Sequence, residues 1–597
     1  MDNIRIAVVN KKKCSSKTCS LECVNFCPKV RAGAKTIIIK DKFAQITEDL
    51  CIGCGICVKK CPFGAISIVN LSVDLGSIAH QYDKNTFRLY NLPMPRKGDI
   101  VGLIGQNAIG KTTTIYIFSG NIIPNMGDYE QKKSKEEKYN KLIKTYSASS
   151  LHNFFLNLKN KKLTSAYKPQ KIDRIVSGFD EKDTVNDLIK KTKLDKKKVI
   201  DLLENINNGP IDKDFFLKKA KHLSGGEAQK LIIAITLSKE RDVYFFDEPS
   251  LYLDIHNRLN VAKNIKKLKG KNAYCFVVEH DLAIVDYMCD YVHIYFGKQG
   301  VYGAVSDPYT SNQGINTYLS GYLKDKNIRF RDKALVFDFT SQKYSSQKVT
   351  LKYPSFTKKY TGFDLKCEGG TLYDGEVVGI FGANALGKTT FAKVLAGVEK
   401  SDKGMLKLKT KISYKPQYLE NSFEGKVEDI MYSSDIEMKS FIEISRHLRI
   451  EDMNQRKITS LSGGEMQRLA IAICLSRKAD IYLLDEPSAY LDVEERVRLS
   501  RIIRDIAQLE QKSILVIDHD IIFLNYTADK SIVFSGKSGK NGSANAPKSL
   551  YKGFNKFLKE LNITFRVDQE TKRPRANKEN SQRDAMQKEK NEYLALD

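Results

Sequence analysis

Two runs of residues in this chain have the spacing that receives phosphate. Gly105, Gln106, Asn107, Ala108, Ile109, Gly110, Lys111 and Thr112, followed by Thr113, make one. Gly382, Ala383, Asn384, Ala385, Leu386, Gly387, Lys388 and Thr389, followed by Thr390, make the other. Both fit G-x-x-x-x-G-K-[ST], in which backbone N–H groups cradle phosphate oxygens, the lysine reaches them and the hydroxyl ligates Mg²⁺. Downstream of each lies Leu-Ser-Gly-Gly-Glu, containing Ser224, Gly225 and Gly226 in the first and Ser462, Gly463 and Gly464 in the second. An Asp-Glu-Pro-Ser closes an apolar run at the same distance beyond each of those serines, starting at Asp247 and Asp485. Two full sets in one order describe a nucleotide-hydrolysing engine built twice.

Phosphoryl transfer to water needs positioning, charge neutralisation and an oriented water. Asp247 and Asp485, with Thr112 and Thr389, are expected to hold Mg²⁺, and the adjacent Glu248 and Glu486 are candidate bases for the attacking water. Gln170 and Gln417, each in Tyr-Lys-Pro-Gln, can tie the metal or water to a moving subdomain. His280 and His519 end apolar runs at nearly equal distances beyond Asp247 and Asp485. A lone histidine there would be read as structural; two in register point to a γ-phosphate contact.

A second chemistry sits at the start of the chain, where eight of the twelve cysteines fall between Cys14 and Cys61. Cys51-x-x-Cys54-x-x-Cys57-x-x-x-Cys61-Pro62 is the bacterial ferredoxin run, whose fourth cysteine serves the other [4Fe–4S] cluster. Cys14, Cys19, Cys23 and Cys27-Pro28 form a looser set with the same ending. The two-cluster logic assigns Cys14, Cys19, Cys23 and Cys61 to one cluster and Cys27, Cys51, Cys54 and Cys57 to the other. Zinc sites more often show two C-x₂₋₄-C pairs, and disulfides conflict with a cytosolic chain. Cys275, Cys289, Cys367 and Cys474 stand singly among apolar residues and read as packing. No flavin or nicotinamide site accompanies the clusters, so a structural or docking role is favoured over electron transfer.

These groups need elements that hold them. Ile100–Gly105 and Val377–Gly382 read as buried strands feeding the phosphate loops, with helices behind them. The runs ending in Asp247 and Asp485 are continuously apolar, as buried parallel strands are. The halves differ in one place: the stretch from Lys111 to Gln170 is twice as long as that from Lys388 to Gln417. The excess, around 129–165, is rich in lysine and has Leu151, Phe154, Phe155 and Leu158 at helical spacing. It reads as an inserted helical hairpin suited to RNA, with a solvated excursion as the alternative. Gly314-Ile-Asn316, Gly321-Tyr322 and Arg329-Phe-Arg331 read as a connector. The polar tail either lacks order or uses Arg573 and Arg575 to staple the halves.

At 597 residues the chain has room for about four domains. Lysine and arginine outnumber aspartate and glutamate by 98 to 71, a net +27 that favours a polyanionic partner, RNA foremost, unless the composition is simply lysine-biased. No apolar run is long enough to span a membrane and no signal core opens the chain, so a cytoplasmic, membrane-free protein is expected.

The Leu-Ser-Gly-Gly-Glu runs and the two Asp-Glu-Pro-Ser-x-x-Leu-Asp runs, ending at Asp254 and Asp492, resemble the ABC ATPases. Together with the ferredoxin-like start, the insertion and stretches such as Lys60-Cys-Pro-Phe-Gly-Ala65, the chain looks along nearly its whole length like ABC subfamily E, the RNase L inhibitor or ribosome-recycling family. The resemblance implies an α/β fold: a two-cluster ferredoxin-like domain (1–70), a first ABC domain (71–322) with its insertion, a hinge (323–345), a second ABC domain (346–545) and a C-terminal hinge and tail (546–597). It implies a monomer with two head-to-tail composite ATP sites, each phosphate loop facing the other half's Ser-Gly-Gly. It also implies Tyr82 stacked on adenine at site one, with Phe87 nearby. The implied partners are the small ribosomal subunit and its rRNA, release or rescue factors and initiation factors. Subunit splitting, initiation, ribosome assembly and an option of nuclear shuttling go with them. Departures are Ala108 and Ala385 where the family has glycine, expected to be tolerated, and Asp518 where the first half has Glu279. Competing classes are a redox carrier, a DNA-repair or cohesion-type ABC ATPase, a cluster-free tandem-ABC translation factor and a transporter subunit.

Overall fold

The computed structural model describes residues 4–71, 75–130, 134–336, 348–404, 410–417, 425–433 and 435–595. Part of the expected hinge (337–345), a short piece of the insertion (131–133) and the end of the tail (596–597) lie outside them. Among the described residues no helix is long and apolar enough to cross a membrane.

In the cysteine-rich start, strand Ile4–Val9 pairs antiparallel with Ile66–Leu71, and a hairpin joins Ile37–Lys40 to Phe43–Ile46. Ala7, Val9, Ile37, Ala44, Ile46 and Ile66 form its small core, with Cys23, Cys27, Cys51 and Cys57 buried among them. So few apolar side chains make a thin core, which cysteine-bound centres commonly reinforce.

Both ABC halves build the same nine-stranded sheet. In the first, the order runs Ile78–Gln81, Arg88–Tyr90, Tyr302–Val305, Tyr291–Lys298, Ile100–Gly105, Tyr274–Val278, Val243–Asp247, Ser165–Lys168, with Tyr309–Thr310 as the ninth strand pairing Tyr291–Lys298 off this path, and the second repeats it. The strands feeding the phosphate loop, His280 and Asp247 are neighbours, parallel and wholly buried. Val278 lies opposite both Leu103 and Asp247, so the three strands end level. Ile517 holds the same place against Ile380 and Asp485. Ligands of such sheets bind outside the carboxyl ends of the strands, which is where all three motifs emerge.

The insertion folds as the expected helical hairpin, Lys135–Thr145 and Ser150–Lys159, the first helix capped reciprocally by Ser134 and Glu137. It is no loose excursion. Leu142, Leu151, Phe154 and Phe155 are buried, and the Phe154 ring lies 4.9 Å from Phe118 at the end of the phosphate-loop helix and 5.1 Å from Tyr274.

The connector reading needs correction at its start. Gly314-Ile-Asn316 belongs to helix Ser311–Ser320, which lies on strand Tyr291–Lys298; a Cβ on Gly314 would meet Val292 at 2.1 Å, so glycine is there for close packing. The tail is ordered: helix Leu550–Leu561, a hairpin Phe565–Val567 with Pro574–Ala576, and helix Gln582–Glu589. It reaches the other half through Arg575, whose Nε and Nη2 donate to both oxygens of Asp286 at 2.6 and 3.1 Å, beside the fully buried Arg573. Arg331 makes a matching bridge to Glu494.

Because Phe154 fills the space behind the phosphate-loop helix, Phe154→Ala should destabilise the protein by about 3–5 kcal/mol. Denaturant titration of the full chain checks this, and a loss below about 1 kcal/mol would mean that the hairpin is a surface addition.

Candidate nucleotide-binding sites

The phosphate loops wrap into helices Lys111–Phe118 and Lys388–Leu395, each entered through a glycine at positive φ, Gly110 (105°) and Gly387 (92°). Lys111 is buried and its Nζ donates to Gly105 and Gln106 carbonyls, both at 2.6 Å; Lys388 does the same to Gly382 and Ala383 at 2.9 and 2.7 Å. These lysines rest on their own loops, at the mouth where phosphate oxygens would sit.

Thr389 donates to Asp485 Oδ2 at 2.8 Å, and Thr112 to Asp247 Oδ2 at 3.4 Å. Asp485 is fully buried with Oδ1 unpartnered, and burial followed by the neighbouring Glu486 pushes it up to about 6. An orphaned carboxylate oxygen beside a threonine hydroxyl fits a divalent cation. Gln170 donates to Glu248 Oε1 at 2.5 Å and Gln417 to Glu486 Oε1 at 2.8 Å. His280 Nε2 lies 3.6 Å from Glu248 Oε1, and His519 Nε2 3.5 Å from Glu486 Oε1. Both rings are buried and form no hydrogen bond among the described residues. The shorter Asp518 does the work of Glu279: one oxygen accepts the following two backbone N–H groups, the other the amide of Ser488, as Glu279 does for His280, Asp281 and Ser250.

Ala108 and Ala385 lie at φ 54° and 58°, the left-handed region that glycine enters freely. The expected tolerance therefore meets a strained backbone. What holds each alanine there is the turn that follows the neighbouring strand of the sheet: Gly300 N–H donates to the Ala108 carbonyl at 2.9 Å and Gly539 N–H to that of Ala385 at 3.0 Å.

Tyr82 is 48% exposed, and its hydroxyl is pinned to Thr113 Oγ1 at 3.0 Å. With Phe87, the phosphate loop, Gln170, Asp247 and Glu248 it lines a cavity of ≈ 310 Å³. The second half has a counterpart that sequence reasoning missed. Tyr360, whose hydroxyl donates to Glu399 and also contacts Thr390, is 43% exposed, and Phe363 stands against Gly387 as Phe87 stands against Gly110. Tyr82 precedes Lys111 by nearly the same stretch as Tyr360 precedes Lys388, a repeat that alignment of the halves could have exposed.

The halves meet at the loops after Asp-Glu-Pro-Ser. Asp254 Oδ2 accepts the Asn384 amide at 2.8 Å, Asp492 Oδ2 accepts the Asn107 amide at 3.1 Å, and the Tyr252 and Tyr490 hydroxyls bond at 2.9 Å. Ser224 and Ser462 cap helices Gly225–Ser238 and Gly463–Leu475 and are exposed. Gly225 and Gly226 pack under Tyr252, and Gly463 and Gly464 under Tyr490. Ser462, Gly463 and Gly464 do not line the site-one cavity. Each half thus assembles its own loop, acids, glutamine and histidine, and meets the opposite phosphate loop through its aspartate.

The cysteines converge as two sets. Cys27, Cys51, Cys54 and Cys57 line one small cavity, and burial and the other three push Cys57 up to about 12. Burial, then Cys61, Cys14 and Cys19, push Cys23 up to about 11. Thiols that repel one another as thiolates suit a cationic iron–sulfur centre. Among the described residues no three His, Cys, Asp or Glu side chains converge on a single ion.

Relief of the phosphate-loop strain gives a prediction: Ala108→Gly and Ala385→Gly should each stabilise their half by up to about 1 kcal/mol, the left-handed penalty less glycine's extra chain entropy. A raised denaturation midpoint in the full chain is the expected result; a lowered one in both variants would show that the turn already removes the strain.

Comparison with known proteins agrees with this layout. A family model described as ABC transporter matches residues 94–251 and 368–489, a 4Fe-4S binding domain matches 44–67, and a possible Fer4-like domain in RNase L inhibitor matches 4–35. The chain is 46% identical to an uncharacterised ABC transporter ATP-binding protein of Methanocaldococcus jannaschii, covering 100% of this chain and 98% of that one. It is 41% identical to translation initiation factor RLI1 of Saccharomyces cerevisiae, over 100% and 99%. A model of ribosome-bound archaeal Pelota and ABCE1 superposes with TM-score 0.91 at 40% identity, over 99% of each chain. The complex of an archaeal ribosomal stalk protein with the archaeal ribosome recycling factor aABCE1 superposes at 0.79 and 40%, over 88% and 100%. With a cysteine-rich start ahead of two ABC halves and full-length likeness to these proteins, the chain belongs to subfamily E of the ABC ATPases, the RNase L inhibitor family, and is an ATP hydrolase.

Proposed function

We propose that the protein splits ribosomes into subunits after termination or rescue, driven by ATP-dependent closure of its two ABC halves, and that it also serves initiation and ribosome assembly. The observation that carries this reading is the loop from Gln81 to Arg88. Its Tyr82 and Phe87 line nucleotide site one, while its buried Asn85 is plugged into the cysteine-rich unit. Asn85 Oδ1 accepts the Ile46 amide, Nδ2 donates to the Ala7 and Ile46 carbonyls, and its own carbonyl accepts Val9 N–H. Arg88 adds an ion pair to Glu48 at 2.7 Å. Nucleotide at site one and the orientation of the cysteine-rich unit therefore share one short loop.

In this reading Tyr82 and Phe87 at site one, and Tyr360 and Phe363 at site two, hold adenine. Lys111 and Lys388 leave their carbonyl partners for phosphate oxygens, cradled by the amides of 105–113 and 382–390. Thr112 and Asp247, or Thr389 and Asp485, would hold Mg²⁺, which would supply neutralisation of the phosphate charge. Gln170 and Gln417 orient Glu248 and Glu486, which take the proton of the attacking water, and His280 and His519 contact the γ-phosphate. Closure brings Ser462–Gly464 onto site one and Ser224–Gly226 onto site two, because a helix N-terminus favours an anion. Hydrolysis removes the anion that holds the halves together and reopens them.

The cysteine sets are read as two [4Fe–4S] clusters with crossed ligands, without a redox role. The lysine-rich hairpin and the hinge regions face small-subunit rRNA, a release or rescue factor lies beside the cysteine-rich unit, and the protein works in the cytoplasm. The 40% identity to ABCE1 seen with Pelota on a ribosome supports these partners.

Glu248→Gln combined with Glu486→Gln should slow ATP turnover by about 10²-fold or more and leave the protein on small subunits in ATP. Co-sedimentation of the anaerobically purified protein with subunits checks this; release at the unmodified rate would refute the base assignment. Iron content tests the crossed ligands. It should fall from about eight to about four per chain in Cys14→Ser/Cys61→Ser, and to near zero in Cys57→Ser/Cys61→Ser. The reverse pattern would assign Cys61 to the other set.

A further inference from the structure

Both catalytic glutamates sit on an unusual backbone. Glu248 and Glu486 each have φ 49°, left-handed and non-glycine, the same value in two independent halves. Such strain persists only where surrounding contacts over-determine it. The contacts that do so here come from side chains to which the motif reading gave no role.

Lys168 ends strand Ser165–Lys168, beside the strand that delivers Asp247. It is 0% exposed, and its ammonium donates to the main-chain carbonyls of Asp247 and Glu248, both at 2.8 Å. Gln229, also 0% exposed, donates from Nε2 to the carbonyls of Glu248 at 3.0 Å and Pro249 at 2.7 Å. The second half repeats the arrangement. Lys415 donates to Asp485 and Glu486 carbonyls at 2.8 and 3.4 Å, and Gln467 Nε2 to the Glu486 carbonyl at 2.6 Å. Each glutamate carbonyl is thus held from two sides, by a buried cation and a buried amide. Lysine is a costly residue to bury, and a neutral donor would satisfy a carbonyl at less expense. Finding it buried at the same place twice argues for a role beyond packing.

We propose that Lys168 with Gln229, and Lys415 with Gln467, are positioning residues that grip the main chain of Glu248 and Glu486, so that each carboxylate stays turned toward its attacking water. The grip acts on the peptide, not on nucleotide. It leaves the carboxylate free to bond Gln170 or Gln417, while fixing the φ that aims it. Gln229 and Gln467 stand on helices Gly225–Ser238 and Gly463–Leu475, the helices capped by Ser224 and Ser462, so the same rigid elements carry both features. This role rests on Glu248 and Glu486 being the bases.

The test uses the full-length protein with site two silenced by Glu486→Gln, and reads single-turnover ATP hydrolysis at site one. Lys168→Met and Gln229→Leu should each lower the rate about tenfold or more, with the ATP concentration for half-maximal rate unchanged within about twofold, since the loss falls on the transition state. Neither should add to Glu248→Gln: residues acting through one group are non-additive. Multiplying losses in the double variant, or a rise in half-maximal ATP matching the fall in rate, would overturn the proposal. Should Lys168→Met fail to fold, Gln229→Leu and Gln229→Glu decide it, Glu keeping the shape but replacing the amide donor. If Glu248→Gln alone leaves hydrolysis intact, the base assignment itself fails, an outcome distinct from a Glu248→Gln defect that Lys168→Met and Gln229→Leu do not reproduce, which overturns the grip alone.

Discussion

Each half gathers two lysines, two acidic side chains and a histidine at the level ends of three buried strands, and keeping those charges dry is the constraint behind the rest. Lys111, Lys168, Asp247, Glu248 and His280 are all at least nine-tenths buried. In so little water, fixed charges and dipoles act strongly on a reacting phosphate. The same dryness penalises any ion left without a partner. The resting protein therefore satisfies its charges internally. Lys111 and Lys388 fold onto their own loops, Lys168 and Lys415 onto neighbouring carbonyls, Gln170 and Gln417 onto the acids. Receiving a nucleotide means exchanging these bonds, not filling an idle cavity.

The exchange is not private to one half. Asp254 uses Oδ1 to cap helix Ile255–Lys266 through the Asn257 amide and Oδ2 to hold the Asn384 amide of the opposite phosphate loop. Asp492 does the same with Glu495 and Asn107. One carboxylate is thereby both a helix cap and an inter-half contact, and the loop that must reshape around phosphate pulls on a helix of its neighbour. Farther out, Arg575 on Asp286 and Arg331 on Glu494 join the halves through buried ion pairs. Cutting one partner of such a pair leaves a buried charge and costs several kcal/mol. The edges stay pinned while the centre carries the contacts that nucleotide can replace.

Most of this was legible in the chain itself where local chemistry dictates local shape. The phosphate loops, the acids, the glutamines and the histidines announce themselves by type and spacing, and the apolar runs before them are strands because both faces are covered. The cysteine spacing grouped Cys27 with Cys51, Cys54 and Cys57, and these four line one cavity. What was not legible depends on tertiary partners. Tyr360 and Phe363 lie in no motif, and Lys168, although it stands in Tyr-Lys-Pro-Gln beside Gln170, gives no sign in the sequence that the fold will bury it. Gly314 looked like a linker glycine because periodicity cannot show a helix pressed onto Val292. The tail's polarity left disorder and stapling both open, and only the fold shows Arg573 buried against the other half, with Nη2 donating to Asn312 and Nη1 3.6 Å from Asp286.

Repetition of motifs also does not produce repetition of electrostatics. Glu248 is raised to about 7, first by burial and then by Asp247 and Glu279, with Lys111 and Lys168 opposing. Glu486 is the more exposed of the two, and it is held at about 2 because contact with His519, then Lys388 and Gln417, outweighs burial. The histidines explain the split. Burial, Lys111 and Arg496 of the second half drive His280 well below the usual imidazole range, so it brings Glu248 no positive charge. His519 has a carboxylate of the first half in reach instead, Asp254, which it helps to keep ionised. Two sites built from the same motifs thus hold their glutamates in different electrostatic surroundings, and part of that difference lies at the interface between the halves.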